Sequence, residues 1–250
     1  MDDLNTIESK DLGPAEKLPS FGERLVAIFV EPKIVFDYIK HRTDFWYSFI
    51  GLAVIASAGA LLALPTQMKS QELMRGAMGA PGAAKAITAV TYIVTPLQTA
   101  LTMLFMMALL GALIWIVIML VAGGGSYVRA INVAVWTSYP AMLATLVNGV
   151  IVFITKPEIT SIQTSILDTN PVMHYTSLAM FAPPGNLYLM MMLMAVSLFS
   201  IWGYWLLYVA TQRALGGNAT AAWVMIIVLV IFQFGFSLFG AWGLSKVLKL

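Results

Sequence analysis

The sequence predicts an all-α fold, a polytopic membrane helix bundle of five transmembrane helices preceded by two short amphipathic interfacial helices. Of the 250 residues, 60% are hydrophobic and 10% are charged, whereas soluble domains have about 45–50% and about 25%. The mean hydropathy of +0.84 is typical of an integral membrane protein. Five stretches reach the roughly 20 apolar residues that a helix needs to cross a hydrocarbon core about 30 Å thick.

The five predicted spans contain no Asp, Glu, Lys, Arg or His. Each such side chain would cost at least a few kcal/mol near the bilayer centre, so their absence favours full insertion. The predicted spans are residues 45–64, 97–122, 131–154, 187–209 and 222–244. Together they make residues 45–250 the transmembrane domain.

Two further apolar stretches, residues 83–94 and 171–184, are too short to cross. Thr95-Pro96 separates the first of them from the second span, and we expect this proline to end that short helix. Each stretch is therefore predicted to be interfacial or re-entrant. Re-entrant backbone is tolerated at membrane depth only where protein covers it. Both fall on the same side of the predicted bundle.

The distribution of Lys and Arg predicts the orientation, because cytoplasmic segments are enriched in these residues. Eight of the 14 lie on the side of the N-terminus and six on the opposite side. The eight are Lys10, Lys17, Arg24, Lys33, Lys40, Arg42, Arg129 and Arg213. We therefore expect a cytoplasmic N-terminus and an external C-terminus.

The N-terminal region divides into a polar tail and two helices. Residues 1–19 are polar and charged and are predicted to be disordered. In residues 20–43, Ser20 and Glu23 fit a capping box, and Pro32 fits the first position of a second helix. The apolar faces comprise Phe21, Leu25, Ile28, Phe29, Ile34, Val35, Tyr38 and Ile39. Such two-faced helices either lie on the membrane surface or pack on the cytoplasmic ends of the spans.

A glycine cluster between the second and third spans allows three interpretations. The string GGGSYVRA has neither a dinucleotide-binding nor a P-loop spacing. Ser126 matches the G-x-S-x string of rhomboid-type proteases, but His174 is predicted on the opposite side and His41 in a solvated segment. We therefore predict a tight turn through Gly123, Gly124 and Gly125, with Ser126 capping the next helix and Pro140 kinking it.

The residue inventory argues against catalysis, cofactors and nucleic acid. The chain has no cysteine, a net charge of +2 and no long basic run. The loop carboxylates Glu72, Glu158 and Asp168 have no metal-ligand spacing to either histidine. The 16 methionines are better explained by packing than by copper binding. We predict a protein that is not an enzyme and that holds no cofactor or metal.

Polar side chains inside the predicted spans keep a second function class open. They form a candidate intramembrane polar cluster of Gln98, Asn132, Thr145, Asn148 and Gln233. Such residues either line a pathway in a small transporter, channel or lipid-handling protein, or join helices at about 1 kcal/mol each. Small residues in the first span, including Gly51 and Gly59, allow close helix contact within the bundle or between copies in a homo-oligomer.

The order of these features resembles the Yip (Ypt-interacting protein) domain family of five-span membrane proteins over roughly residues 20–250. The matching turn and span residues are Gly125, Ser126 and Pro140. The opening FGERLVAIFVEPKIVFDYIKHRTDFWYSF resembles that of prokaryotic members through Arg24, Pro32, Phe36 and Trp46. WLLYVATQRALGGNATAAWVMI resembles the family's fourth-span exit and its turn into the fifth span.

The resemblance implies a cytoplasmic N-terminus, no catalytic residues and a multi-pass protein of the bacterial inner membrane. Eukaryotic members are associated with Rab-type GTPases and carry an Asp-Leu-Tyr-Gly-Pro motif near the first span. Only the upstream Asp11-Leu12-Gly13-Pro14 is similar to it, without the tyrosine. The expected role is to organise the bilayer or to recruit a protein partner through the cytoplasmic N-terminal segment.

Overall fold

A computed structural model describes residues 19–77, 89–159, 170–183 and 186–248. The predicted tail, apart from its last residue, lies outside these segments. The α-helices are α1 Phe21–Val30, α2 Pro32–His41, α3 Phe45–Ala77, α4 Ala89–Ala122, α5 Tyr127–Thr137, α6 Tyr139–Thr155, α7 Pro171–Thr176, α8 Leu187–Met194, α9 Leu198–Arg213 and α10 Ala219–Leu248. A short 3₁₀-helix, Leu178–Phe181, follows α7.

Four helical stretches in the described segments are long and apolar enough to cross a membrane. They are Phe45–Leu73, Val90–Ala122, Tyr127–Thr155 and Ala219–Lys246. The protein is therefore an all-helical integral membrane protein. The fourth predicted span is not among them, because the three residues 195–197 separate it into helices of 8 and 16 residues.

The predicted fourth span, 187–209, is two helices rather than one continuous helix. α8 ends at Met194 and α9 begins at Leu198, so residues 195–197 form an interruption. Ser197 is the physical reason, because its hydroxyl accepts from the Ser200 N–H at 3.1 Å and starts a new helix. Ser197 also forms an isolated antiparallel bridge with Ser177.

Pro96 does not end a helix, which corrects the expectation for residues 83–94. α4 runs without a break from Ala89 to Ala122 with Pro96 inside it. Transmembrane helices tolerate proline when neighbouring groups satisfy the freed backbone atoms, and Thr99 Oγ1 donates to the Thr95 carbonyl oxygen at 2.8 Å. Residues 83–88 lie outside the described segments.

The first and third spans cross with their backbones in contact at two glycines. A Cβ on Gly59 of α3 would lie 2.6 Å from the carbonyl oxygen of Thr145, and a Cβ on Gly149 of α6 would lie 2.9 Å from the Gly59 Cα. Small residues permit such close packing in membranes, where apolar side chains gain little by leaving lipid. This face of α3 is therefore used within one chain.

The N-terminal helices α1 and α2 form a hairpin that packs on the bundle. Ser20 Oγ accepts from the Glu23 N–H and Glu23 Oε2 accepts from the Ser20 N–H, so the capping box is present. Of the eight residues predicted for the apolar faces, three are buried, Phe21, Leu25, Phe29 and Tyr38 are half-buried against the core, and Ile34 is exposed. The buried three are Ile28, Val35 and Ile39, each at 0% exposure.

Contacts between helix ends fix which loops lie together. Asp37 of α2 lies 3.8 Å from Arg213 at the end of α9. Ile118 of α4 lies against Gly217, between α9 and α10. The α1–α2 hairpin, the turn between α4 and α5 and the turn between α9 and α10 therefore lie at the same end of the bundle, called here the hairpin end. At the opposite, far end, the hydroxyl groups of Tyr188 and Ser245 are 2.7 Å apart.

Candidate functional site

A buried ion pair fixes the hairpin to the bundle. The guanidinium of Arg24 on α1 binds the carboxylate of Asp44, which directly precedes α3. Arg24 is 5% exposed and Asp44 is 12% exposed. A buried charge is tolerated only when it is paired and hydrogen-bonded. The burial of Arg24 therefore depends on Asp44.

Aromatic rings surround the Arg24 guanidinium. Its central carbon lies 4.0 Å from the centre of the Tyr38 ring, 5.8 Å from that of Trp136 and 6.0 Å from that of Phe21. Trp136 in turn stacks on Tyr139 at a centroid separation of 4.9 Å. Cations within about 6 Å of such ring faces are attracted to them. We call Arg24, Asp44, Tyr38, Trp136 and Tyr139 the Arg24 cluster.

The Arg24 cluster joins five helices at the hairpin end. Tyr139 Oη at the start of α6 donates to the Ser48 carbonyl oxygen of α3 at 2.8 Å. Trp136 comes from α5, and Arg24 and Tyr38 come from α1 and α2. Because the polar groups of Arg24, Asp44 and Tyr139 are already bonded to each other or to backbone, this arrangement is suited to holding the hairpin. It places no free nucleophile beside a base.

The hairpin lies beside the span ends rather than beyond them. The Phe21 ring contacts Gly51, six residues after Phe45 and therefore about 9 Å along α3 at 1.5 Å per residue. Val26 and Val30 are 63% and 78% exposed on the outer side of α1. Trp46 and Tyr47, at the start of α3, are also exposed, as is common at a membrane interface. This edge of the hairpin is therefore apolar, whereas the exposed face of α2 is polar.

The exposed face of α2 carries charge of both signs. Lys33, Asp37, Lys40 and His41 are exposed on it. The opposite face buries Val35, Phe36 and Ile39 in the core. The hairpin thus presents fixed polar side chains away from the bundle.

The sequence pattern alone does not reveal the Arg24 cluster. Arg24 is one of the basic residues that predict the orientation, but in the structure its charge is paired with Asp44 inside the protein. A signal was present, because Arg24 lies on the same helical face as Ala27 and Ile28, where a solvated arginine would not be expected. Asp44, 20 residues later, could not be assigned as its partner without the fold.

A second polar site lies at the interruption of the fourth span. Gln233, in the middle of α10, donates through Nε2 to the Ala195 carbonyl oxygen at 3.0 Å and accepts from the Tyr204 hydroxyl. The Leu178 N–H donates to the Val196 carbonyl oxygen at 3.0 Å. The segment 177–181 therefore covers backbone groups that the helix break frees, as apolar surroundings require.

The five residues of the predicted polar cluster do not form one site. Asn132 is buried at 0%, and its Nδ2 donates to the Val128 carbonyl oxygen at 2.8 Å. Asn148 accepts from the Val172 N–H at 3.2 Å at the far end. Thr145 is exposed and donates to the Ala141 carbonyl oxygen. Gln98 lines a cleft between α3 and α4, and Gln233 lies at the interruption.

The glycine turn lies at the hairpin end. Gly123 has a φ of 73°, which favours glycine, whereas a Cβ on Gly125 would lie 2.7 Å from Ile118 Cγ2. Ser126 occupies the N-cap position of α5, but its side chain makes no cap hydrogen bond, which corrects that expectation. Ser126 has an extended backbone conformation, as is usual for an N-cap residue, and α5 begins at the next residue.

The third span is divided before its proline. α5 ends at Thr137 and α6 begins at Tyr139, with Pro140 in the first turn of α6. Proline suits a first helical turn because the amide protons there have no helical partner. The Ser138 N–H donates a hydrogen bond to the Val135 carbonyl oxygen at 3.1 Å.

The chain is similar to one protein family and to one bacterial membrane protein. The Yip1 domain family matches residues 26–240. The chain is similar to "Membrane protein YknW" of Bacillus subtilis (strain 168), with 26% identity over 241 residues that cover 94% of this chain and 96% of the relative. No solved structure matches. The matched residues cover most of the chain, including the helices α2 to α6 and the interrupted span, so this protein belongs to the Yip1 domain family.

Proposed function

We propose that this protein is a non-enzymatic membrane organiser that recruits a partner protein to the bilayer through its N-terminal hairpin. The observation that carries the proposal is the buried Arg24–Asp44 ion pair, which fixes α1 and α2 on the span ends. A fixed surface binds with a smaller loss of conformational entropy than a flexible one. Neither the family description nor the relative's name mentions a catalytic activity.

The two sides of the hairpin fit two different neighbours. Val26 and Val30 offer an apolar edge to lipid at the interface, and Trp46 and Tyr47 at the start of α3 are exposed as well. The polar face of α2 is left for a protein partner of mixed charge. We propose that this combination makes the hairpin an interfacial docking platform at the cytoplasmic surface.

A five-span topology is part of the proposal. α8 and α9 together lie antiparallel to α10, since Tyr188 meets Ser245 at one end and the Tyr208 ring lies 5.7 Å from the Trp223 ring near the other. α10 is long enough to cross alone. A broken helix that runs beside it for the same length supports a fifth crossing, with the chain ends on opposite faces of a bacterial inner membrane.

Site-specific photocrosslinking tests the docking platform. We expect a crosslinkable residue at position 33 or 40, on the exposed face of α2, to give a discrete adduct in cells. The same residue at Lys246, exposed at the far end, is the matched control and should not give it. The adduct should fall in Arg24→Met, which releases the hairpin. An identical adduct pattern at positions 33 and 246, or one unchanged in Arg24→Met, would contradict the proposal.

A transport function is the alternative, and the interruption at residues 195–197 is the observation that favours it. Broken helices near the bilayer centre form substrate sites in several transporter folds. Liposomes that contain the purified protein distinguish the two functions. Ion, solute or lipid flux above that of empty vesicles, lost in Gln233→Leu, would support transport. Inert vesicles that still bind a partner through the hairpin would support the organiser.

A further inference from the structure

A cleft of about 320 Å³ separates α3 from α4 at the far end of the bundle. The part nearest the bilayer centre is lined by Leu64, Met68 and Val94, together with Thr95 and Gln98, and we call the three apolar residues the floor. Its rim is polar and includes Glu72 and Arg75. The cleft is large enough for part of a small amphiphile, because ligand pockets are commonly about 300–1,000 Å³.

Two prolines are next to cleft-lining residues in the chain. Pro65 follows Leu64 inside α3, and Pro96 lies between cleft residues inside α4. Each proline lacks the amide proton of a regular helical hydrogen bond, and prolines are the usual cause of helix bends. The sequence thus weakens both helices at the level where the cleft begins.

The cleft lies where the apolar part of the first span ends. Residues 45–64 are apolar, and 20 residues at 1.5 Å each extend about 30 Å, the thickness of the hydrocarbon core. Leu64 therefore lies near the hydrocarbon boundary, and Glu72 about 12 Å further along the helix. An amphiphile entering from the bilayer would place its chain at the floor and its head at the rim.

The two charged side chains on the rim are exposed, so a ligand can reach them. Glu72 and Arg75 are exposed, and the ion pairs within the described segments are instead Arg24–Asp44 and Arg213–Asp37. Residues three apart on a helix have Cβ atoms about 5–6 Å from each other. One anionic and one cationic binding group therefore stand side by side above an apolar floor.

We propose that this cleft binds one phospholipid with a primary-amine zwitterionic headgroup. Arg75 binds the phosphate, Glu72 binds the ammonium, and an acyl chain lies along Leu64 and Val94. A primary ammonium donates up to three hydrogen bonds to a carboxylate, whereas a quaternary ammonium has no N–H to donate. An anionic glycerol headgroup offers no cation to Glu72 and is repelled by it.

Native mass spectrometry of the full-length protein in detergent measures this selectivity. The probes are phosphatidylethanolamine, phosphatidylcholine and phosphatidylglycerol with identical acyl chains. We expect one phosphatidylethanolamine to bind about fivefold more tightly than either of the other two, since exposed charge pairs contribute modestly. Soluble glycerophosphoethanolamine, which lacks chains, should not compete at lipid concentrations. Competition at equal concentration would overturn the assignment to a membrane lipid.

Variants that leave the far end folded sharpen the test. Glu72→Gln should remove the preference for the primary amine and increase phosphatidylglycerol binding, whereas Arg75→Gln should weaken all three phospholipids. Val94→Trp should fill the cleft and lower binding of every lipid. Lys69→Gln, also exposed on α3, is the matched control and should leave the selectivity unchanged. Equal binding of the three lipids, or a preference that survives Glu72→Gln, would overturn the proposal.

Discussion

Replacing Arg24 with methionine removes the cation from the Arg24 cluster and leaves the carboxylate of Asp44 without its partner. Removal of one member of a buried ion pair costs about 3–5 kcal/mol. Asp44 retains 12% exposure, so water relieves part of that cost and the expected loss is near the lower limit. A loss of about 3 kcal/mol corresponds to a roughly 100-fold change in the equilibrium between the docked and the undocked hairpin.

Hydrogen exchange in nanodiscs measures this opening at residues 20–43. We expect amide protection in α1 and α2 to fall by about two orders of magnitude in Arg24→Met, while α10 is unaffected. Adding Asp44→Asn should restore most of the protection, because no unpaired charge then remains.

The exposed pair Asp37–Arg213 provides the matched control. These side chains are 51% and 47% exposed and 3.8 Å apart. Such pairs contribute about 0–1 kcal/mol, so Asp37→Asn should change protection by no more than about fivefold. The reasoning fails if Arg24→Met behaves like Asp37→Asn, or if the double variant at positions 24 and 44 is as destabilised as the sum of the single ones.

Three further substitutions probe other parts of the structure. Gly149→Ala should destabilise the bundle by about 1–3 kcal/mol, because the added Cβ would meet the backbone of α3. Thermal unfolding in detergent measures this loss. Gly235→Ala should not destabilise the bundle, because a Cβ at that position has no atom within 4 Å. Gln233→Leu should cost about 0.6–2 kcal/mol and increase hydrogen exchange near Ala195, because it removes two hydrogen bonds there; unchanged exchange would contradict the assigned contacts. Gly123→Ala should lower the unfolding temperature, because alanine is strained at the Gly123 φ of 73°. Gly124 has no positive φ, so an equal effect of Gly124→Ala would show that backbone strain is not the cause.

The sequence could predict the elements that local physics determines. Apolar length defined α3, α4 and α10, and the Ser20–Glu23 capping box marked the start of α1. These features depend on residues close to one another in the chain. The amphipathic spacing likewise identified Ile28, Val35 and Ile39, although not what covers them.

Long-range packing accounts for most of what the sequence could not predict. Leu187–Val209 is as apolar as the other spans, and hydropathy does not detect that Ser197 starts a new helix or that Gln233 stabilises the break. Pro96 differs from the expectation for a different reason, because a proline that would end a soluble helix is tolerated inside the membrane helix α4. Arg24 required knowledge of a partner 20 residues away.

The account depends most on five membrane crossings that leave the two chain ends on opposite sides. Single-cysteine labelling tests this topology most directly, because the chain has no cysteine of its own. Gly22, Asn218 and Lys246 are exposed positions for one cysteine each. With an impermeant maleimide on intact cells, we expect labelling at position 246, and labelling at 22 and 218 only after the membrane is opened. Labelling at 218 in intact cells, with protection at 246, would show that α8 and α9 do not cross and would contradict the five-span account.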